Sequence, residues 1–230
     1  MLYELRHYAI PPGRMTDIAL RMLADVPPLF LHHGMRAVAH WSIIAGADLP
    51  SFLYVLEWRD AAEREAGWQS FYDDPRWWEI RARTNGRSEL VESYGLWLMK
   101  PNPTWSPPFP PLQRAAPGEI HEIALHHVAI GQNAAIADHI EQHIMPSVAR
   151  AGGRVLAVLD MIAGPRVPAV AIVVAWPDFT SGLRLWSEAR DRPERGFVQE
   201  AELLGRRDTY VLQPMLTTDF SLTRQRDVSS

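Results

Sequence analysis

Slide the chain along itself by 118 positions and its two halves fall into register. Glu4 meets Glu122, Gly13 meets Gly131, Pro28 meets Pro146 and Gly34 meets Gly152. Farther on, "IIAG" (43–46) meets "MIAG" (161–164), Trp58 meets Trp176, Trp68 meets Trp186 and Pro75 meets Pro193. The offset holds without a gap from residue 3 to 75, and the second copy then loses five residues, so that Pro101 matches Pro214. A shared offset over so many Trp, Gly and Pro positions is a duplicated folding unit, and a repeat constrains architecture more than any local signal. We divide the chain into a first unit (1–100), a linker (101–118), a divergent second unit (119–215) and a polar tail (216–230). The linker "PNPTWSPPFPPLQRAAPG" has seven prolines and reads as an extended, semi-rigid spacer.

Each copy runs through the same elements. "LYELRHYAI" alternates as a strand does. From Arg14 the period turns helical, with Met15, Ile18, Ala19, Met22, Leu23 and Val26 on one stripe, matched by Ile136, Ile140 and Ile144. "RAVAHWSIIA" and "SFLYVLEW" read as two strands, after which Asp60 and Asp178 are N-caps of a further helix. That helix is expected to bury Trp68, Phe71 and Tyr72 in the first copy and Phe179, Leu183 and Trp186 in the second. Pro75 and Pro193 suit a helical first turn, and "VESYGLWLM" and "DTYVLQPM" close the units as strands. The order β-α-β-β-α-β is the ferredoxin-like arrangement, a sheet covered by helices on one face. The fold class is therefore α+β: two tandem ferredoxin-like units whose bare faces are expected to pair as an intramolecular dimeric α+β barrel.

Composition removes several chemistries. The absence of cysteine excludes thiol nucleophiles, thiolate metal sites and disulfides. Lys100 is the sole lysine, against 22 arginines, which leaves Schiff-base chemistry one candidate at a strand end. A net charge of −4, with basic residues dispersed, argues against a nucleic-acid partner. No apolar run approaches the ~20 residues of a membrane span, and Glu4, Arg6 and His7 interrupt any signal-peptide core, so a cytoplasmic chain with no membrane partner is expected. There is no G-x-S-x-G, Walker or G-x-G-x-x-G motif.

Candidate site residues come from strand parity. Glu4, Arg6 and Tyr8 share one parity, as do Glu122, Ala124 and His126. In the next strand His40 shares a parity with Arg36, and Asp160 with Arg154. If the apolar parity faces the helices, these groups face the space between the sheets. Unpaired burial there costs several kcal/mol, so Glu4 and Glu122 either pair with arginines (Glu4 with Arg6 or Arg36) or line a wet cavity. His40, Tyr8, His126 and Asp160 differ between the copies and are the leading catalytic candidates. His40 or His126 would transfer protons, Glu4 or Asp160 would orient it, and Tyr8 would donate. Arg36, Tyr54, Tyr94, Trp97 and Glu122 are candidate substrate contacts, although pattern alone does not orient Tyr54, Tyr94 or Trp97. His32 and His33, ahead of Gly34, are read as helix punctuation, since a basic group there suits the helix dipole. His139 and His143 stand at metal-ligand spacing but read as surface histidines. No metal or cofactor is expected.

The first copy resembles the NIPSNAP family of dimeric α+β-barrel proteins through "YELRHY" (3–8), "PPGR" (11–14), "PLFLHHGMR" (28–36) and "REAGWQSFYDDPRW" (64–77). The second, with "HEIALHHV", "IMPSVARAGG" and "IVVAWPD", is similar to the same unit but lacks "DPRWW". The resemblance implies that single-unit relatives pair as homodimers and that this chain is its own pair, with a further homo-oligomer of such protomers allowed. Members of the wider superfamily range from monooxygenases and heme enzymes to isomerases and ligand binders. Three functions stay open: a cofactor-independent enzyme acting on a small aromatic or polyketide-like molecule, a non-catalytic small-molecule-binding or interaction protein, and a heme-binding protein.

Overall fold

A computed structural model of the protein describes residues 1–105, 107, 109, 115–191 and 204–215. Pro193, the polar tail and part of the proline linker lie outside the described residues, as does the side chain of Trp186. The chain divides into two compact units, one built on Met1–Leu96 and one on Ala115–Gln213 together with Trp97–Pro110.

In the first unit β1 (Leu2–Ala9) leads through α1 (Met15–Leu20), a π-turn (Arg21–Asp25) and α2 (Pro27–His32) to β2 (Arg36–Ala45). Then follow β3 (Ser51–Trp58), α3 (Ala61–Asp73), α4 (Pro75–Asn85) and β4 (Ser93–Pro101). Strand β3 pairs antiparallel with β1 on one side and β2 on the other, the split βαβ order. The predicted stripe is buried: Ile18, Ala19, Met22, Leu23 and Val26 are each at most 3 % exposed. Asp60 caps α3 by accepting from the Glu63 amide (2.8 Å), and Gly34 ends α2 at φ +66°, a conformation in which a Cβ is strained.

The second unit repeats this with β5 (Ile120–Val128), α5 (Asn133–His139), a second π-turn, α6 (Met145–Arg150), β6 (Arg154–Ala163), β7 (Ala169–Trp176), α7 (Phe179–Asp191) and β8 (Leu204–Pro214). Its pairings place β5 between β8 and β7, and β6 beyond β7, with Leu98–Pro101 of β4 added outside β6. Every described pairing is antiparallel. Details repeat at the same offset: Ile10 N donates to Pro50 O (3.0 Å) and Val128 N to Pro168 O (3.1 Å). Asp178 caps α7 through the Ser181 amide (2.8 Å).

Three expected core residues are not core. Tyr72, Phe179 and Leu183 are 40 %, 44 % and 42 % exposed. Trp68 and Phe71 are buried as expected. No helix among the described residues is long and apolar enough to cross a membrane.

Candidate functional site

Directly paired residues of neighbouring strands share a face of the sheet. Leu2, Glu4, Arg6 and Tyr8 of β1 oppose Trp58, Leu56, Tyr54 and Phe52 of β3, and His40 of β2 opposes Tyr54. This is the face the helices cover: Tyr54 stacks on Phe30 of α2 (6.3 Å between centroids), and Trp68 of α3 reaches Glu4. The polar parity therefore lies under the helices, and the expected placement on the bare face is overturned. The opposite face carries Tyr3, Leu5, Leu53, Val55 and Trp41, all buried. Hydrophobicity did not select the helix face because Glu4, Arg6, Tyr8 and Tyr54 there satisfy one another and their neighbours in place.

Glu4 shows how. Its fully buried carboxylate accepts five N–H bonds: Arg6 Nε (2.8 Å), Trp58 Nε1 (3.0 Å), Trp68 Nε1 (2.9 Å) and two from Arg64 (2.9 and 3.2 Å). Burial alone would raise its pKa; the Arg6 charge and these donors outweigh that and hold the carboxyl below its ordinary value. A carboxylate so saturated orients no histidine and abstracts no proton. Of the two pairings foreseen, Arg6 is real and Arg36 is not. Arg36 instead pairs with Glu57 on the opposite face. The cause is a bulge between Ala37 and Ala39: one extra residue breaks the alternation, so Arg36 and His40 point to opposite sides. Sequence reasoning missed Arg64 and the two indoles; the joint repetition of Glu4 and Trp58 at one offset was the available signal.

Beyond Glu4 lies a polar and aromatic cluster. The Arg6 guanidinium sits 3.7 Å over the Trp68 ring and 5.3 Å from that of Tyr94. Burial works against its charge, but the Tyr54 and Tyr8 oxygens and Glu4 raise its pKa. Tyr8 and Tyr54 share a hydrogen bond between hydroxyls (2.7 Å), and burial raises both phenols, Tyr54 the more. The His40 ring stacks on Tyr54 (6.1 Å, 17°), and its Nε2 is buried with no hydrogen-bond partner among the described residues. Desolvation lowers its pKa to about 4, so the imidazole is neutral at pH 7. Tyr94, 59 % exposed, borders this cluster from β4.

The remaining candidates are dispersed. Trp97 packs on Tyr210 in the second unit (5.7 Å). Glu122 accepts from Trp176 Nε1 (2.9 Å) and pairs with Arg207. His126 is buried, its pKa lowered to about 3 by desolvation first and then by Arg207 and His139. Asp160 accepts from Asn102 Nδ2 (2.6 Å) rather than from a histidine. Within the first unit the structure brings together Arg6, Tyr8, His40, Tyr54 and Tyr94 and sends Arg36 to the opposite face of the sheet, whereas Trp97, Glu122, His126 and Asp160 belong to the second unit. Of the histidine doublet, His33 caps α2, but its ring bonds Ser70 Oγ and Asp74 rather than helix carbonyls.

Residues 3–104 match the NIPSNAP family model. No curated protein matches the chain. A candidate monooxygenase from Lactobacillus acidophilus NCFM is similar in structure over 93 % of both chains, with 10 % identity and a TM-score of 0.56. A mutant chlorite dismutase from Candidatus Nitrospira defluvii is similar over 95 % of both (8 %, TM-score 0.53). An anthrone oxidase-like protein is similar over 93 % of this chain and 90 % of its own (14 %, TM-score 0.52). These likenesses define the fold class as that of the dimeric α+β barrels.

Proposed function

We propose that the chain is a cofactor-independent acid–base enzyme that accepts a small aromatic or polyketide-like molecule at the helix-covered face of β1, β2 and β3. One observation carries the reading: a neutral imidazole, its buried Nε2 without a partner among the described residues, stacks on Tyr54, whose hydroxyl bonds that of Tyr8 next to the Arg6 cation. His40 takes a proton from an acidic C–H or O–H of the substrate. The Tyr8–Tyr54 pair donates to the substrate oxygen on which charge collects, and Arg6 stabilises that charge in a poorly solvated place. Alone, the imidazole is a weak base; negative charge developing nearby favours its protonated form and strengthens it as the proton moves. Aromatic walls from Tyr54, Phe30 and Tyr94 suit a planar ring system. The anthrone oxidase-like neighbour makes an anthrone-type ketone the first molecule to try.

The test is deuterium exchange into such a ketone by the purified chain without added cofactor. His40→Ala and Tyr54→Phe should abolish exchange while thermal stability stays near wild type, and His126→Ala should leave it intact. Exchange that persists in His40→Ala, or fails in His126→Ala alone, rejects the assignment.

A second reading, a binding protein without chemistry, draws support from Tyr54 itself, which is 1 % exposed and packed among rings. Native mass spectrometry separates the two: a retained small molecule with no exchange favours binding.

A further inference from the structure

The geometry points to a binding site for a first-row divalent cation, formed by His32, His33 and Asp74, where the end of α2 meets the turn between α3 and α4. Each residue offers one ligand atom, and these atoms lie within 4.8 Å of one another. They lie outside the Tyr54 cluster, so the inference does not depend on the activity proposed for His40.

The second coordination layer is already in place. His33 Nε2 lies 2.9 Å from Asp74 Oδ2, while its Nδ1 lies 2.6 Å from Ser70 Oγ. A histidine that binds a metal through one nitrogen characteristically donates its other N–H to an oxygen. With the Nδ1 proton donated to Ser70 Oγ, Nε2 turns its lone pair to the cation. The His32 ring stands 4.9 Å from that of His33, perpendicular to it, on an exposed side chain free to rotate inward. Ligand atoms of a tetrahedral Zn²⁺ site are separated by roughly 3.4 Å. The His33–Asp74 pair must therefore open by roughly half an ångström, and His32 supplies the rest by rotating.

Two imidazoles and one carboxylate suit Zn²⁺ and its first-row neighbours. The site borders an open depression of about 790 Å³ lined by His33, Ser70, Asp73, Asp74 and Arg76, which leaves room for a water as fourth ligand. One group opposes the ion: the Arg76 guanidinium, which bonds both Asp74 oxygens (2.6–3.0 Å) but is half exposed and able to turn to solvent. The second copy has Arg150, Ala151 and Arg192 at the three matching sequence positions, so only the first copy has the ligands.

Chelator-stripped full-length protein titrated calorimetrically with Zn²⁺ should bind one ion per chain. Co²⁺ in its place should give the visible bands of a tetrahedral nitrogen–oxygen site. His32→Ala, His33→Gln and Asp74→Asn should each weaken binding at least ~10-fold, and Ser70→Ala by ~10-fold as an outer ligand. Asparagine still caps α4, so Asp74→Asn keeps the fold, as circular dichroism should verify. Arg76→Ala should tighten binding, and His139→Ala/His143→Ala should not alter it. No binding by the wild type, or binding indifferent to the three ligand variants, overturns the site.

Discussion

The two copies build one scaffold and furnish it differently. Both bury a glutamate on their first strand against the indole of the matched tryptophan, Glu4 with Trp58 (3.0 Å) and Glu122 with Trp176 (2.9 Å). Around that pair everything changes. Arg6, Tyr8, His40 and Tyr54 become Ala124, His126, Val158 and Ile172, and the cation beside the glutamate comes from β8 as Arg207. In the second unit this face is an aliphatic core of Ile136, Ile140, Val158, Ile172 and Val174. The shared carboxylate–indole contact is thus architecture, and the polar cluster is specialisation of the first copy. Packing tells the same story. A Cβ on Gly67 would stand 2.8 Å from Trp58, and one on Gly153 2.5 Å from Trp176. At the matching positions stand Leu185 and Met35, so each tryptophan rests on one glycine and one larger residue, with the two roles exchanged.

Breaking the carboxylates should expose the largest difference. Glu4→Gln leaves Arg6 and Arg64 without their counter-charge and should cost about 3–5 kcal/mol, whereas Glu122→Gln should cost less because Arg207 is 37 % exposed. Denaturant melts of the two variants check the order, and equal losses would contradict it.

The exchanged glycines sharpen the comparison. Gly67→Leu alone should destabilise by about 1–3 kcal/mol through overpacking against Trp58. Adding Met35→Gly, which recreates the second copy's arrangement, should recover part of that loss, with a coupling of about 0.5–3 kcal/mol in a double-mutant cycle.

Acid should act on both units through their buried imidazoles. His40 and His126 have folded pKa values lowered to about 4 and about 3, against roughly 6.5 when unfolded. The unfolded chain therefore binds protons first as pH falls, and stability present above pH ~6.5 is lost progressively toward pH 4 and 3. His40→Phe and His126→Phe should each flatten that decline in melts between pH 7 and 4, and an unchanged slope would refute the assignment. The smallest effect should be the most symmetrical: Gly34→Ala and Gly152→Ala, at φ +66° and +84° with open space around the added Cβ, should each cost about 1 kcal/mol.

The candidate site was legible as a set of residues more than as a place. Tyr8 and His40 are marked by differing between the copies, whereas the alternation of its strand does not orient Tyr54. Their common location did not follow, since parity relates neighbours along one strand without saying which side the helices occupy. Placing Glu4 on the bare face would reverse that side for all of them.

From the sequence alone came the duplication, the order of elements in both units, the Asp60 and Asp178 caps, the helix-ending glycines and the α+β class. All are local or periodic signals, and a fixed offset doubles each of them. Tertiary structure alone decided that Trp68 and Arg64 reach back to Glu4, that a bulge sends Arg36 away from His40, and that His32, His33 and Asp74 meet. The reason is physical: these contacts join residues dozens of positions apart, and a single extra residue in β2 inverts a side that alternation would otherwise assign.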